Sequence, residues 1–366
     1  MSKRTLAVIE LGRGREAAFK ELADSGEFTI LVVTRMALPE ALAQYVDHVL
    51  TVETNDVDAT ITALRSYSAS DRIDGALTLL EWYVPVVEAV RESLGLPGNG
   101  VAAAQRCRDK KIMRDTLRDD GIPVPRYRRI VDFADALGAA KAVGGFPCVV
   151  KPTDGTGSTN VVLVSTPAEL RTAVERIGLA TQNTRGQQLS RAAMIEQFVD
   201  GPEFAVDSLS IDGVHRTIAI QEYTMSPLPH FAETGFVTPP SLDPPGRAAV
   251  VDLAMRALDA LGIVSGPSHC EIKWGAEGAV VIEAAARYGG AYIPEVIVHA
   301  AFITTWRVPG SLAEWASYLS RRSVPPELFS MSMPTRTGRS SRLAALRKPG
   351  PNPAASPSMS TMQGGT

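Results

Sequence analysis

Along the first hundred positions, apolar residues recur in two alternating patterns. Compact aliphatic runs at 5–11, 28–34 and 75–79 have the length and β-branched content of buried strands. Residues 16–24, 56–66 and 84–94 instead carry apolar positions at helical spacing. Strand and helix taking turns in this way predict βαβ units and a parallel sheet.

The pattern then becomes more mixed. A helix through 108–114 must end before Gly121-Ile122-Pro123-Val124-Pro125, residues 132–143 read as helical, and 145–152 read as a strand ending in Lys151. Thr166-Pro167-Ala168-Glu169 opens another helix with a capping hydroxyl, proline at the first helical position and Glu at the third. Residues 183–190 are polar and are expected to form a mobile loop. Strands at 204–209 and 217–222 should pair across Asp212-Gly213, and 247–261 form an amphipathic helix over the last sheet. Residues 225–236 look like a long loop punctuated by proline and carrying His230 and Glu233; loops of that kind are often functional.

The most informative pattern lies at 268–287. Two β-rich runs flank a Gly-bounded turn, so a hairpin is predicted. Alternation puts His269, Glu271 and Lys273 on one face, Cys270 and Ile272 on the other, and groups Val281, Glu283 and Ala285. If the hairpin closes around Glu277, then Glu271 and Glu283 stand opposite each other. Opposed carboxylates repel across a ladder, and a bound cation removes that penalty. Magnesium suits such a pair, since it takes one or two carboxylates together with phosphate oxygens. Arg287 adds a permanent cation of the kind that clamps phosphate.

A second candidate is the Gly/Ser/Thr-rich stretch at 153–160 that follows Lys151. Gly155, Gly157 and Ser158 allow successive backbone N–H groups to face an anion, and no Gly-Lys-Ser/Thr follows, so this is not a Walker A loop. The Gly-x-Gly-x-x-Ala at 12–17 fits a loose dinucleotide pattern. The second strand, however, ends in Val33-Thr34-Arg35 without the acidic residue that would hold a ribose, which argues against a nicotinamide cofactor.

Composition narrows the field. The 366 residues suffice for two or three domains, and 45% hydrophobic with 21% charged residues is the balance of a globular enzyme. A net charge of −3 gives no electrostatic reason to expect nucleic acid. Cys107, Cys148 and Cys270 are too few and scattered for a disulfide framework or zinc cluster, and Cys148 and Cys270 read as buried thiols. No stretch is long enough to span a membrane, which predicts a cytoplasmic protein.

Glu-x-Lys, a short turn, then Val-Ile-Glu-Ala-Ala-Ala-Arg-Tyr-Gly-Gly resembles the metal-binding end of the ATP-grasp superfamily. The His-x-Glu-x-Lys and Glu-x-Ala-Ala-Arg wording is most similar to the L-amino-acid ligases of the bacilysin-synthase type. In many other ATP-grasp enzymes an Asn stands where this chain has Ala285. The resemblance covers about 110–290. It implies an α/β (α+β) fold with an N-terminal parallel-sheet domain (1–105), a linker and lid subdomain (106–198) and a C-terminal antiparallel-sheet subdomain with the metal site (199–308).

The resemblance also implies roles. Lys110 and Lys151 reach ATP phosphates, and Gly155, Gly157 and Ser158 belong to the lid loop. Glu196, Phe198 and Val199 meet adenine, and Glu203 takes the ribose hydroxyls. Glu271 and Glu283 hold magnesium or manganese, and Arg287 stabilises the transferred phosphoryl group. His269 would touch the carboxylate substrate, although a lone His is as often a structural hydrogen-bonder.

The expected activity joins an amino acid carboxylate to an amine at the expense of ATP, with small-molecule partners and a homodimer left open. An ATP-grasp ligase with another acceptor, or an ATP-binding protein without catalysis, are the alternatives. Residues 309–366 are rich in Pro, Ser and Arg and are expected to be disordered beyond about 325 or non-native.

Overall fold

The computed structural model describes residues 3–12, 16–290, 293 and 329–332. Most of the 309–366 stretch and Arg13, Gly14 and Arg15 of the early glycine motif lie outside the described residues.

Four strands form the first sheet: β1 (Arg4–Ile9), β2 (Phe28–Thr34), β3 (His48–Thr51) and β4 (Gly75–Leu77), in the order β3-β2-β1-β4 and all parallel. The crossovers are α1 (Glu16–Asp24), a short α2 (Glu40–Ala43) and α3 (Val57–Ser68), with α4 (Val84–Leu94) after β4. Both faces of a parallel sheet must be covered. Ala7, Ile9, Leu31 and Val33 pack against Leu64, Val86 and Val90, while Val8, Ile30 and Val32 pack against Phe19 and Leu22.

Two helices follow where one was predicted, α5 (Val101–Arg108) and α6 (Lys110–Asp119). Asp109 makes the break. Its backbone is extended, and its carboxylate caps α6 by accepting from Lys111 N at 2.8 Å and Ile112 N at 3.0 Å.

A second sheet is antiparallel, with β5 (Tyr127–Ile130), β6 (Cys148–Pro152), β7 (Val162–Val164) and β8 (Ala193–Gln197) in the order β5-β8-β6-β7. Its outer face is covered by α7 (Ala136–Ala142) and α8 (Pro167–Leu179) through Ala140, Leu170, Val174 and Ile177. Thr166 caps α8 as its sequence predicts, accepting from Glu169 N at 3.2 Å.

The third sheet runs β13 (Gly278–Ala285), β12 (Gly266–Gly275), β9 (Glu203–Ile211), β10 (Val214–Met225), β11 (Glu233–Thr238) and β14 (Phe329–Ser332), and every pairing is antiparallel. One face is a core in which Phe204, Val206, Cys270, Ile272 and Val281 meet Met113 and Leu117 of α6 and Leu253 and Leu258 of α9 (Pro244–Leu261). The opposite face is charged and carries the site.

Three expectations are corrected here. The 225–236 loop ends in a strand, β11, because β10 offers it a pairing edge. Four residues of the tail, Phe329–Ser332, pair with β11 rather than lying beyond all structure. The 183–190 loop is tied down: Asn183 Oδ1 accepts from Arg185 N and Gln187 N, and Arg185 Nη2 donates to Leu11 O at 2.8 Å. Arg35 and Asn55 in turn donate to Arg185 O at 2.7 and 2.9 Å, fastening the second sheet's loop to the first sheet.

Gly201, between β8 and β9, has φ +138°, and a Cβ there would lie 2.0 Å from Trp274 O. Gly201→Ala is therefore expected to lower the unfolding free energy by about 2–3 kcal/mol. Urea denaturation gives the value, and a loss under about 0.5 kcal/mol would contradict the close approach.

Among the described residues, no helix is long and apolar enough to cross a membrane. The three cysteines are free and buried. Burial pushes the Cys148 thiol up to about 11.

Candidate functional site

The charged face of the third sheet and the edge of the second enclose a cleft. It is lined by each nucleotide and metal residue read from the sequence: Lys110, Lys151, Gly155, Gly157, Ser158, Glu196, Phe198, Val199, Glu203, Glu271 and Glu283.

Glu271 and Glu283 are direct partners across β12 and β13, as the sequence predicts, but by another route. The hairpin turns at Ala276-Glu277, since Gly275 pairs with Gly278 and Ile272 with Val281. A β-bulge then leaves Ile282 without a partner and brings Glu283 opposite Glu271. The extra residue shifts the alternation. Val281 lies in the core beside Ile272, while Ile282 and Glu283 both face the cleft, so the expected grouping of Val281 with Glu283 is wrong.

Arg114 sustains that bulge. Its Nη2 donates to Ile282 O at 2.7 Å, and Nε and Nη2 donate to the two oxygens of Glu196 at 3.0 and 3.3 Å. Lys151 Nζ lies 2.7 Å from Glu196 Oε2. Burial works against the Glu196 charge, but Arg114 and Lys151 outweigh it and hold its pKa low. The Glu196 carboxylate is thus committed to positioning Lys151. For Lys151, burial pulls the pKa down, helped by Arg114 and Lys110 and opposed by Glu196.

Lys110 stands in the first turn of α6, which Asp109 caps. Its Nζ donates to Glu283 Oε1 at 2.9 Å and to Gly155 O at 3.1 Å, and its backbone N donates to Thr153 O at 2.8 Å. One lysine therefore ties the carboxylate pair to the glycine loop. Burial would raise the Glu283 pKa, but Lys110, Lys151 and Arg287 outweigh it and bring it to about 2. In the loop, Gly157 and Ser158 have φ of +59° and +53°, the left-handed backbone from which anion-binding nests are built.

The other end of the cleft is apolar. Phe198 and Val199 line it, with Phe231 6.4 Å from Phe198 between ring centres. Glu203 sits there with Lys273 Nζ 3.4 Å away. Burial, with repulsion from Glu271, pushes Glu203 up to about 7. Glu233 also lines the cleft and is pushed up to about 7 by the same two causes.

His269 lies below the cleft rather than in its lining. The ring shares Nδ1 with Asp207 Oδ1 and Nε2 with Tyr223 Oη, both at 2.9 Å, and Nε2 is 3.5 Å from Glu271 Oε1. Burial works against its charge, yet Asp207 and Glu271 raise its pKa to about 10, so it is a cation at neutral pH. Arg287 also lies outside the cleft lining, where its Nε donates to Glu81 Oε2 of the turn after β4.

The donor set fits a hard divalent cation. Two opposed carboxylates can each give oxygen, and neighbouring lysines can meet the phosphates that complete its shell. Among the described residues, no group of three or more His, Cys, Asp or Glu could hold a metal unaided.

Arg114, Glu81, Asp207 and Tyr223 are absent from the sequence reading. Arg114 left one signal: it shares the buried face of α6 with Lys110, Met113 and Leu117, and a charge on such a stripe needs a partner. For Glu81, Asp207 and Tyr223 no local pattern points to the contact.

Residues 144–295 match the ATP-grasp domain family, and 25–98 match the ATP-grasp N-terminal domain family. Uncharacterized protein y4rH of Sinorhizobium fredii is 30% identical over 268 residues, 73% of this chain and 54% of that protein. The alanine–anticapsin ligase of Bacillus subtilis strain 168 is 29% identical over 236 residues, 59% of this chain and 49% of that protein. The chain thus spans about half the length of these curated relatives. In structure it is similar to the L-amino acid ligase from Bacillus licheniformis, with TM-score 0.71, 28% identity, and coverage of 83% of this chain and 72% of that one. The domain match covers the cleft's charged residues from Lys151 to Glu283, with Lys110 lying before it, and by the two matches together the chain belongs to the ATP-grasp family.

Proposed function

We propose that the protein is an ATP-dependent carboxylate–amine ligase acting on amino acids. The observation that carries this reading is the opposition of Glu271 and Glu283 beside Lys110, with Lys151 and the glycine loop in the same cleft. The cleft offers the charges a triphosphate needs at one end and an apolar slot for a base at the other.

In this reading a substrate carboxylate oxygen attacks the γ-phosphorus of ATP, the bond to the β-phosphate bridging oxygen breaks, and ADP leaves. An amine then attacks the acyl carbon, phosphate departs with its oxygen, and the nitrogen loses a proton to give the amide. Such transfers are promoted by positioning and charge neutralisation more than by covalent work.

Lys110 and Lys151 neutralise the phosphates, Glu203 accepts from the ribose hydroxyls, and Phe198 and Val199 flank the adenine. Glu271 and Glu283 would hold magnesium, which when bound offsets charge on the phosphate oxygens. Arg287 serves the reacting acyl and phosphoryl oxygens, while His269, buried and held by Asp207 and Tyr223, acts through its neighbour Glu271 rather than on the substrate. Substrates of this kind place the work in the cytoplasm.

The test is ADP release by the purified protein with MgATP, scanned over single and paired amino acids. Release that requires a particular pair, matched by an equal yield of amide, is expected. ATP binding without amino-acid-dependent release anywhere on the grid would refute the reading.

A further inference from the structure

We infer that Glu81 is a positioning residue that aims the Arg287 guanidinium, so that the first sheet takes part in a reaction whose other groups come from elsewhere. The inference rests on the proposed ligase reaction, in which Arg287 meets the transferred oxygens.

Glu81 opens the short 3-10 turn, Glu81–Tyr83, that follows β4 at the carboxyl edge of the parallel sheet. In open α/β sheets this edge is where ligands are met. Its side chain is only 5% exposed. Arg287 arrives from the far end of the chain, two residues beyond β13 and 206 positions away from Glu81.

The contact uses the guanidinium in a particular way. Nε donates to Glu81 Oε2, and Nη1 donates to Tyr288 O at 2.5 Å. Among the described residues Nη2 has no hydrogen-bond partner. Two of the three nitrogens are clamped, which fixes the plane, and the third is left to donate. An arginine side chain carries about 2 kcal/mol of rotamer entropy, and a planar fork held at one edge has already given up much of it.

A buried ion pair is weak evidence for stability, because desolvation of the two charges offsets their attraction. An interdomain brace alone would be served as well by apolar residues. A carboxylate makes sense where an arginine must be held in one place and pointed. Glu283 and Glu271 also act on the Arg287 charge, which puts the guanidinium within electrostatic reach of the carboxylate pair.

The experiment is a cycle of Glu81→Ala, Glu81→Gln, Arg287→Ala and the double Glu81→Ala/Arg287→Ala variant, assayed by ADP release. Glu81→Ala should lower kcat about 100-fold with the KM for ATP within about twofold. Glu81→Gln, which keeps an acceptor oxygen, should recover part of the loss. The double variant should be no slower than Arg287→Ala, since residues that act as a unit are not additive. Additive losses, or a loss in KM for ATP alone, would overturn the inference and leave Glu81 a substrate contact or a brace.

A readout independent of turnover is the Arg287 Nε–H resonance, identified by its disappearance in Arg287→Lys. It should shift and exchange faster with solvent in Glu81→Ala; an unchanged signal overturns the inference. If the wild type shows no amino-acid-dependent ADP release, the ligase reading fails, and the resonance still decides whether Glu81 orients Arg287.

Discussion

Glu283→Gln is expected to cut amino-acid-dependent ADP release by about 100- to 1,000-fold while leaving the protein folded. The substitution keeps an oxygen that Lys110 Nζ, now 2.9 Å from Glu283 Oε1, can still donate to, so the tie between α6 and the third sheet survives. What it removes is a charge that the site maintains against burial: the surrounding cations bring the Glu283 pKa to about 2. A neutral amide opposite Glu271 is a poorer partner for a hard divalent cation. Steady-state rates across a magnesium titration, with circular dichroism as the folding control, make the check. Full activity with an unchanged magnesium requirement would remove Glu283 from the metal site.

Arg114→Ala should have the largest effect on stability, lowering the unfolding free energy by about 3–5 kcal/mol. Arg114 is fully buried and serves two acceptors, the Glu196 carboxylate and the Ile282 carbonyl at the bulge. Its removal leaves Glu196 in the interior with Lys151 alone and the bulge carbonyl without its donor. A bare cavity would cost less than these stranded groups. Urea denaturation gives the number, and pairing the change with Glu196→Gln should give a loss smaller than the sum, because the two residues share one interaction. A loss below about 1 kcal/mol for Arg114→Ala would show that water or another donor serves Glu196.

Much of the site was legible because its parts are local. The glycine loop after Lys151 and the Glu-x-Lys hairpin each lie within a few residues, and each lines the cleft as expected. The hairpin also shows where periodicity runs out. The opposition of Glu271 and Glu283 came from a tighter turn plus a bulge, and the bulge carbonyl is bound by Arg114, 168 residues away. No alternation rule contains that contact. Likewise β11 reads as loop because its pairing partners, β10 and β14, are supplied by other segments.

By itself the sequence determined the alternation of strands and helices in the first sheet, the capped start of α8, the glycine loop after Lys151 and which residue types could carry chemistry. These follow from backbone preference and apolar spacing over short windows. Only the tertiary structure decided which charges meet: Lys110 with Glu283, Arg114 and Lys151 with Glu196, Glu81 with Arg287. A buried charge is tolerable only beside its partner, and packing brings partners together from 45 to 206 positions apart.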